Sequence, residues 1–320
     1  ARRLDPTERH QGMMVAIAAA SVIKLIAFIL AGIFVTYFLF DGFNDIFSKW
    51  NSQIAFRESD TVNPDSMLWL TQLVLGMSAV LMLPRQFHTA VIENFNEDHI
   101  KTATWFFPLY MFLISLFVLP ITFGGLLNGL PISDADNFVL TLPIHTGQKW
   151  ISLIVFLGGF SAALGMILVS TMTMSTMITN HLIFPLFTKF SFLGFMKKYL
   201  LQWRWLVITI YIVLCFFFYL KIAENFTLVN IGYFSFAAVI QFAPTFFGGL
   251  YWRQGNKIGA ILGLMSGFLI WGYTLILPAL IQSELMSSEI LHYGPWGIGF
   301  LRPEHLFGLD GMDQLTHSVF

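Results

Sequence analysis

Seven long apolar stretches constrain the fold of this chain more than any other feature. A helix needs about 20 apolar residues to cross a hydrocarbon core roughly 30 Å thick. The stretches that approach or exceed this length are residues 13–40, 67–84, 103–127, 149–180, 203–221, 226–250 and 257–280. Helices are expected because an open sheet cannot satisfy its backbone hydrogen bonds in lipid. We therefore predict an all-α membrane protein with seven transmembrane helices.

The composition supports a lipid bilayer as the main partner. Only 11% of the residues are charged, whereas soluble domains carry roughly 25%. The formal net charge of -1 gives no indication of a nucleic-acid partner. The sequence contains no phosphate-binding glycine loop, no metal-ligand spacing and no nucleophile elbow, so we predict no catalytic residue and no metal site in it.

The distribution of basic residues predicts the orientation. Eleven of the 17 Lys and Arg residues lie in the N-terminal segment and alternate loops, five lie in the opposite loops, and Lys24 lies within a span. Basic loops stay on the cytoplasmic side, so the N-terminus of the chain is expected to be cytoplasmic. The chain begins in a polar stretch without a methionine, and we expect it to be a piece of a longer polypeptide.

Residues 43–54 form a predicted interfacial helix between the first two spans. Helical spacing places Phe43, Phe47 and Trp50 on one face, while Asp45 and Lys49 lie elsewhere. Such a segment is typical of a helix lying on the membrane surface.

Lys24 is the most unusual residue of the first span. At ~1.5 Å per residue it lies about 16 Å from residue 13, near the middle of the membrane. A charge there costs at least ~2.5 kcal/mol on insertion scales, so it should face protein or a wet cavity. It is either a structural lysine that caps carbonyls at a helix break or a site lysine that gains and loses a proton.

The second span is followed by a proline that interrupts a helical pattern. Pro84 cannot donate a backbone hydrogen bond, yet the pattern resumes after it. Such breaks in transporters expose backbone groups that bind ions or solutes, although a helix end at the membrane surface explains the proline equally well. We predict that Gln72, Gly76 and Ser78, which precede the break, line a solute site.

Two other patterns concern helix packing. Glycines recur at four-residue spacing at Gly255, Gly259, Gly263 and Gly267, which predicts a close helix contact. The six hydroxyl residues between 170 and 179 either bond to carbonyls of their own helix or line a polar path.

Long stretches of the chain resemble the sodium/solute symporter family. They are "ERHQGMMVAIAAASVIKLIAF", "LPRQFHTAVIENFNEDHIKTATWFFPLYMFLISLFVLPI" and "FSFAAVIQFAPTFFGGLYWRQGNKIGAILGLMSGFLIW". More narrowly, they resemble the branch that forms the membrane domain of bacterial sensor histidine kinases. This resemblance implies a multi-pass protein of the bacterial cytoplasmic (inner) membrane.

The family implies a LeuT-type helical bundle, built from two inverted five-helix repeats with the solute site at the midplane. Residues 13–40 would then be the fifth core helix. The next five spans would form the second inverted repeat, and 257–280 one extra helix. The chain would therefore be a fragment, residues 1–320 being a partial symporter-like transmembrane domain that lacks the first four core helices.

The resemblance also implies an altered ion site. Sodium-dependent relatives place adjacent hydroxyls on the eighth core helix, at positions that align with Gly165 and Met166. A shift of the alignment by a few residues would bring Ser161 or Ser170 to these positions. Their aspartate on the fifth core helix aligns with Ser21. A thioether is a poor ligand for a hard cation, so we expect the Lys24 ammonium to replace sodium. H⁺ or Na⁺ is thus the candidate coupling ion, and pH dependence without sodium dependence is the prediction.

Three functions follow from the resemblance as expectations. The first is a domain that binds and transports a small solute, such as an amino acid, as the input domain of a two-component sensor histidine kinase. Its partner would be a response regulator, reached through a kinase region outside these residues. The alternatives are a free-standing sodium/solute symporter and a membrane sensor module that does not transport.

Overall fold

The computed structural model describes residues 11–54, 66–190, 195, 198–221, 226–283, 289–304, 306–308 and 313–319. Within these ranges the chain is helical and contains no strand. The helices are α1 (Gln11–Ile33), α2 (Phe43–Ile54), α3 (Ser66–Met82), α4 (Pro84–Phe87), α5 (Asp98–Ser115), α6 (Val118–Leu127), α7 (Phe138–His145), α8 (Lys149–Ile178), α9 (Phe184–Lys189), α10 (Leu200–Lys221), α11 (Leu228–Ile240), α12 (Ala243–Tyr251), α13 (Lys257–Trp271), α14 (Leu277–Gln282), α15 (Glu289–Tyr293) and α16 (Gln314–Val319).

Among the residues that the structure describes, six continuous helical segments are long and apolar enough to cross a membrane. They are Gly12–Leu39, Asp98–Leu127, Lys149–Lys189, Leu200–Lys221, Leu228–Tyr251 and Lys257–Gln282. A further pair, Ser66–Met82 and Pro84–Ile92, passes the same test together but is bent by 47°. Many large apolar side chains on these helices are exposed, as expected for surfaces that contact lipid. The chain thus has the helices of a multi-pass membrane protein.

The chain divides into two compact units. The first contains Ala1–Val62 and Val91–Arg204, and the second contains Asn63–Ala90 and Trp205–Phe320. α1, α2 and α5 to α9 belong to the first unit, and α3, α11 to α14 and α16 to the second.

Two helices of the second unit begin at side-chain caps that the sequence supplies. The Thr227 hydroxyl accepts a hydrogen bond from the Asn230 backbone N–H at 3.4 Å and begins α11. The Asn256 side chain accepts one from the Gly259 N–H at 2.6 Å and begins α13. Both caps satisfy backbone N–H groups that have no partner within the helix.

The core of the first unit lies where α1 continues into α2 and meets α6 and α7. It contains Phe34, Val35, Phe117, Ile121, Phe138 and Leu142. Gly125 allows this packing, because a methyl group at that position would lie 2.3 Å from the Phe138 ring. The aromatic residues of three separate elements therefore fill one space.

The predicted helix over 43–54 is present as α2, and its apolar side contacts protein. Ile46 is fully buried, the Trp50 ring stacks on Phe123 of α6 with 4.6 Å between centroids, and Phe43 stacks on Phe117. On the other side, the Lys49 ammonium bonds to an Asp45 carboxylate oxygen at 2.6 Å. The location of α2 at the membrane surface stays a prediction.

The core of the second unit joins α3, α11 and α16 around Leu75, Ala237, Leu275 and Leu315. The predicted glycine contact occurs at one end of the series. A methyl group at Gly267 would lie 2.6 Å from the Gln241 side-chain oxygen, whereas no atom lies within 4 Å of one at Gly263.

Among the described residues, wide π-helical turns end two of the apolar segments and interrupt two others. They are Phe34–Leu39, His88–Ile92, Thr179–Ile183 and Gly272–Ile276. The last two end just before Pro185 and Pro278. Proline removes one backbone donor and its ring collides with the preceding turn, so a locally widened helix accommodates it.

Candidate functional site

α1 and α8 pack against each other through small residues. A methyl group at Gly158 would lie 2.3 Å from the Ala27 Cβ, and one at Gly165 would lie 3.9 Å from the Ala20 Cβ. The Ser161 hydroxyl donates to the Ala20 carbonyl at 3.4 Å. The order of these contacts makes the two helices antiparallel, and the small side chains allow their backbones to approach closely. We call this contact the α1–α8 interface.

Lys24 lies on the side of α1 that forms this interface. It follows Ala20 by four residues and precedes Ala27 by three, and such positions share one helix face. Its side chain is half-buried, and it lies close to the midpoint of the apolar segment Gly12–Leu39. The Lys24 ammonium has no hydrogen bond and no ion pair with any group in the described part of the chain. Lys24 is thus a long polar side chain on a helix face of otherwise small residues.

The other residues of the predicted ion site divide between two surfaces. Ser161 and Gly165 are half-buried on the α1–α8 interface, whereas Met166 is 52% exposed on a different side of α8. The Ser21 hydroxyl donates to the Ile17 carbonyl at 3.0 Å in its own helix. Ser161 and Gly165 of α8 therefore face the side of α1 that carries Lys24, whereas Met166 does not.

Tyr110 is a contact of this region that the sequence did not suggest. Its hydroxyl donates to the Ser21 carbonyl at 3.2 Å and so ties α5 to α1 one turn before Lys24. A tyrosine in an apolar span often buries its ring and directs its hydroxyl to a carbonyl. The presence of a tyrosine in an apolar span was therefore the one sequence signal for such a hydrogen bond. Residue spacing could not identify the Ser21 carbonyl as its acceptor.

The predicted solute-lining residues lie on α3, in the second unit. The buried side of α3 is Thr71, Leu75 and Ala79. Gln72 and Gly76 each follow a residue of that buried side by one position. Gln72 is half-buried and Gly76 is exposed. The Ser78 hydroxyl donates to the Val74 carbonyl at 2.8 Å and the Leu75 carbonyl at 3.0 Å. Gln72 and Gly76 therefore share one stripe of α3, and the Ser78 hydroxyl is used within the helix.

The break at Pro84 consists of one extended residue between two helices. Leu83 has φ -62° and ψ 126°, and Pro84 is the first residue of α4. Because Pro84 has no N–H, the Val80 carbonyl lacks its usual helical donor. The Leu83 carbonyl accepts two N–H groups, from Gln86 and Phe87, both at 2.9 Å. The chain thus resumes a helix at once, at an angle of 47°.

The hydroxyl residues late in α8 have mixed roles. Thr171 donates to the Ile167 carbonyl of its own helix at 2.7 Å, and Ser175 donates to the Arg204 carbonyl at 3.0 Å. The buried hydroxyl oxygens of Thr173 and Thr179 have no hydrogen-bond partner among the described residues. Some hydroxyls of this segment therefore bond within α8, one bonds to another helix, and two have no partner among the described residues. Neither of the two predicted roles describes the whole segment.

A buried charge near the start of α10 was missed from sequence. Arg204 is 2% exposed, and one of its guanidinium nitrogens lies 3.5 Å from the Asn180 side-chain oxygen. Glu93, in the same unit, is also buried. Arg204 looked like a basic residue at a membrane surface, because it stands at the beginning of an apolar run. A buried guanidinium needs polar partners, so this end of α8 and α10 has a polar core.

Comparisons of the chain with protein-family models, curated proteins and solved structures returned no match.

Proposed function

We propose that this chain is a transporter-like membrane domain that binds and transports a small solute such as an amino acid. The observation that carries the proposal is the position of Lys24 on the α1–α8 interface. A half-buried ammonium near the middle of an apolar helix is costly in lipid, and such residues in membranes mark ion or proton pathways. Lys24 acts as the proton-binding group that replaces a sodium ion.

The bent pair α3 and α4 supports the same proposal. Discontinuous helices in transporters offer backbone groups to the substrate near the middle of the membrane. The extended residue Leu83 and the Val80 carbonyl, which lacks its usual helical donor, are groups of that kind, and Gln72 and Gly76 lie on the preceding helix. These residues contact the solute in the proposed mechanism, and its transport is coupled to H⁺ rather than Na⁺.

Uptake into vesicles tests the transport proposal. The full-length protein that contains this domain is reconstituted, and a panel of radiolabelled amino acids is offered with an imposed pH gradient, in sodium or potassium buffer. At least one amino acid should accumulate in response to the pH gradient equally in both buffers. Lys24→Met should lose this response, whereas Lys101→Met should keep it, because Lys101 is exposed and pairs with Asp98. Stimulation by sodium at every pH would contradict proton coupling.

The same protein distinguishes the remaining candidate functions. In the sensor-kinase form, the domain is the input of a histidine kinase that phosphorylates a response regulator, and the added amino acid changes kinase autophosphorylation. A sensor module that does not transport changes phosphorylation without uptake. A free-standing symporter shows uptake and has no kinase sequence after Phe320.

A further inference from the structure

A crevice lies between α7 and the beginning of α8, in the first unit. It has a volume of about 480 Å³, which is in the range of small-molecule sites. Its apolar lining comes from Leu140 and Ile144 of α7 and from Leu153 and Phe156 of α8, and its polar lining from Lys149 and Ser152. We call it the α7–α8 crevice.

The polar and apolar parts of the crevice are separated along α8. Lys149 is the first residue of α8, and Leu153 and Phe156 follow about 6 and 10 Å further along the helix axis. Trp150, next to Lys149, is 79% exposed, and tryptophan is enriched at the level of lipid headgroups. The crevice therefore has a cationic mouth at the beginning of α8 and an apolar lining further along the helix.

The charge at the mouth is available to a ligand. The Ser152 hydroxyl is already bonded to the Gln148 carbonyl at 2.9 Å. The Lys149 ammonium, in contrast, has no hydrogen bond or ion pair with any residue that the structure describes. The acidic residues of the same loop, Asp134 and Asp136, precede the opposite end of α7. Gly147 leaves the mouth open, since no atom lies within 4 Å of a methyl group placed on it.

We propose that the α7–α8 crevice binds an anionic phospholipid. One acyl chain lies along Leu153 and Phe156, between the two helices, and the phosphate pairs with the Lys149 ammonium. A lipid fits because α8 belongs to an apolar segment long enough to cross the membrane, and because the order of charge and hydrocarbon matches an amphiphile. A lysine ammonium forms charge-assisted hydrogen bonds with phosphate oxygens of an anionic headgroup. This site is independent of solute transport.

Native mass spectrometry of the full-length protein tests the proposal. The purified protein is titrated with phosphatidylglycerol or phosphatidylcholine carrying identical acyl chains, and the apparent Kd of the first bound lipid is measured. Wild-type protein should prefer phosphatidylglycerol. Lys149→Gln should weaken phosphatidylglycerol binding by about fivefold and remove the preference, whereas Lys149→Arg should retain it.

Two further variants separate a crevice from a charged surface. Leu153→Trp fills the crevice and should weaken both lipids, while Lys221→Gln removes an exposed lysine at the end of α10 and should have no effect. Inorganic phosphate should not compete, because it lacks the acyl chain. Equal Kd values for wild type and Lys149→Gln would overturn the proposal. So would an equal loss in Lys221→Gln, unchanged binding in Leu153→Trp, or competition by phosphate.

Discussion

The hydroxyl oxygens of Thr71 and Thr316 lie 3.1 Å apart, although 245 positions separate them in the chain. Both residues are fully buried in the second unit. The Gln314 side-chain amide beside them donates to the Thr274 carbonyl at 2.9 Å. The Thr274 carbonyl can accept this hydrogen bond because the residue four positions later is Pro278, which has no N–H to donate to it. α16 is thus attached to α3, the first half of the bent pair.

Thr316→Val should lower the stability of the protein by about 1 kcal/mol, the typical net value of one buried hydrogen bond. The melting temperature of the purified protein, followed by tryptophan fluorescence, measures the effect. In the double variant Thr71→Val/Thr316→Val, the loss should be smaller than the sum of the single losses. Thr209→Val is the control, because that exposed hydroxyl bonds only within its own helix. Additive single losses would argue against the contact.

Gly158→Ala should lower the melting temperature, because the added methyl group would lie 2.3 Å from the Ala27 Cβ. Overpacking of this kind typically costs about 1–3 kcal/mol. Gly159→Ala is a matched control on the same helix, since its methyl group meets nothing within 4 Å. Ala27→Gly should restore stability to Gly158→Ala. Equal effects at Gly158 and Gly159 would be inconsistent with the α1–α8 interface.

The Asp45 carboxyl should titrate below its ordinary pKa of 3.8. The hydrogen bond from Lys49 lowers this pKa most, followed by the hydrogen bond from the Asp41 backbone N–H. A lowered pKa means that the stabilisation is present above pH 3.8 and is lost as the pH falls through the folded-state value. The carboxyl ¹³C shift of Asp45 measures the pKa. Lys49→Gln should move it toward 3.8 and Lys49→Arg should keep it low; an unchanged pKa in Lys49→Gln would exclude the pair as its cause.

Pro84→Ala should straighten the bent pair, because alanine restores the N–H that the Val80 carbonyl lacks. From the 47° bend and ~1.5 Å per residue, straightening lengthens the distance between residues 69 and 90, both in the second unit, by about 2 Å. Spin labels at these exposed positions, in a Cys215→Ser background, report that distance. Arg85→Ala, which keeps the proline, should leave it unchanged. If the solute binds at the break, Pro84→Ala should also weaken its binding.

Apolar length was sufficient to predict a helical chain with long apolar segments, and the proline at position 84 was sufficient to predict a break after α3. Both features depend on local chemistry: the cost of exposing a backbone to lipid, and a missing N–H. The apolar side of α2 was also predictable from spacing. Its neighbours, Phe117 and Phe123, were not, because α6 lies far along the chain and only the fold brings it there.

The candidate site was less predictable than the helices. Spacing within α1 places Lys24 on one side with Ala20 and Ala27, but it could not identify α8 as the facing helix. Arg204 illustrates the opposite difficulty. Its sequence surroundings resemble a membrane boundary, and only tertiary packing buries it near Asn180. Similarly, α7 was not predicted, because it is a helix of only eight residues that includes Pro143.

The wide turn at Thr179–Ile183 also shifts the angular register of everything that follows it. One surplus residue in a turn rotates the later positions by about 100° about the axis, because an α-helix has 3.6 residues per turn. Buried Phe187 therefore does not continue the stripe of Gly158, Ser161 and Gly165. An alignment that assumes an uninterrupted α-helix would therefore assign residues 184–189 to the wrong helix surface. A related sequence with one residue fewer at this turn could keep a regular α-helix there.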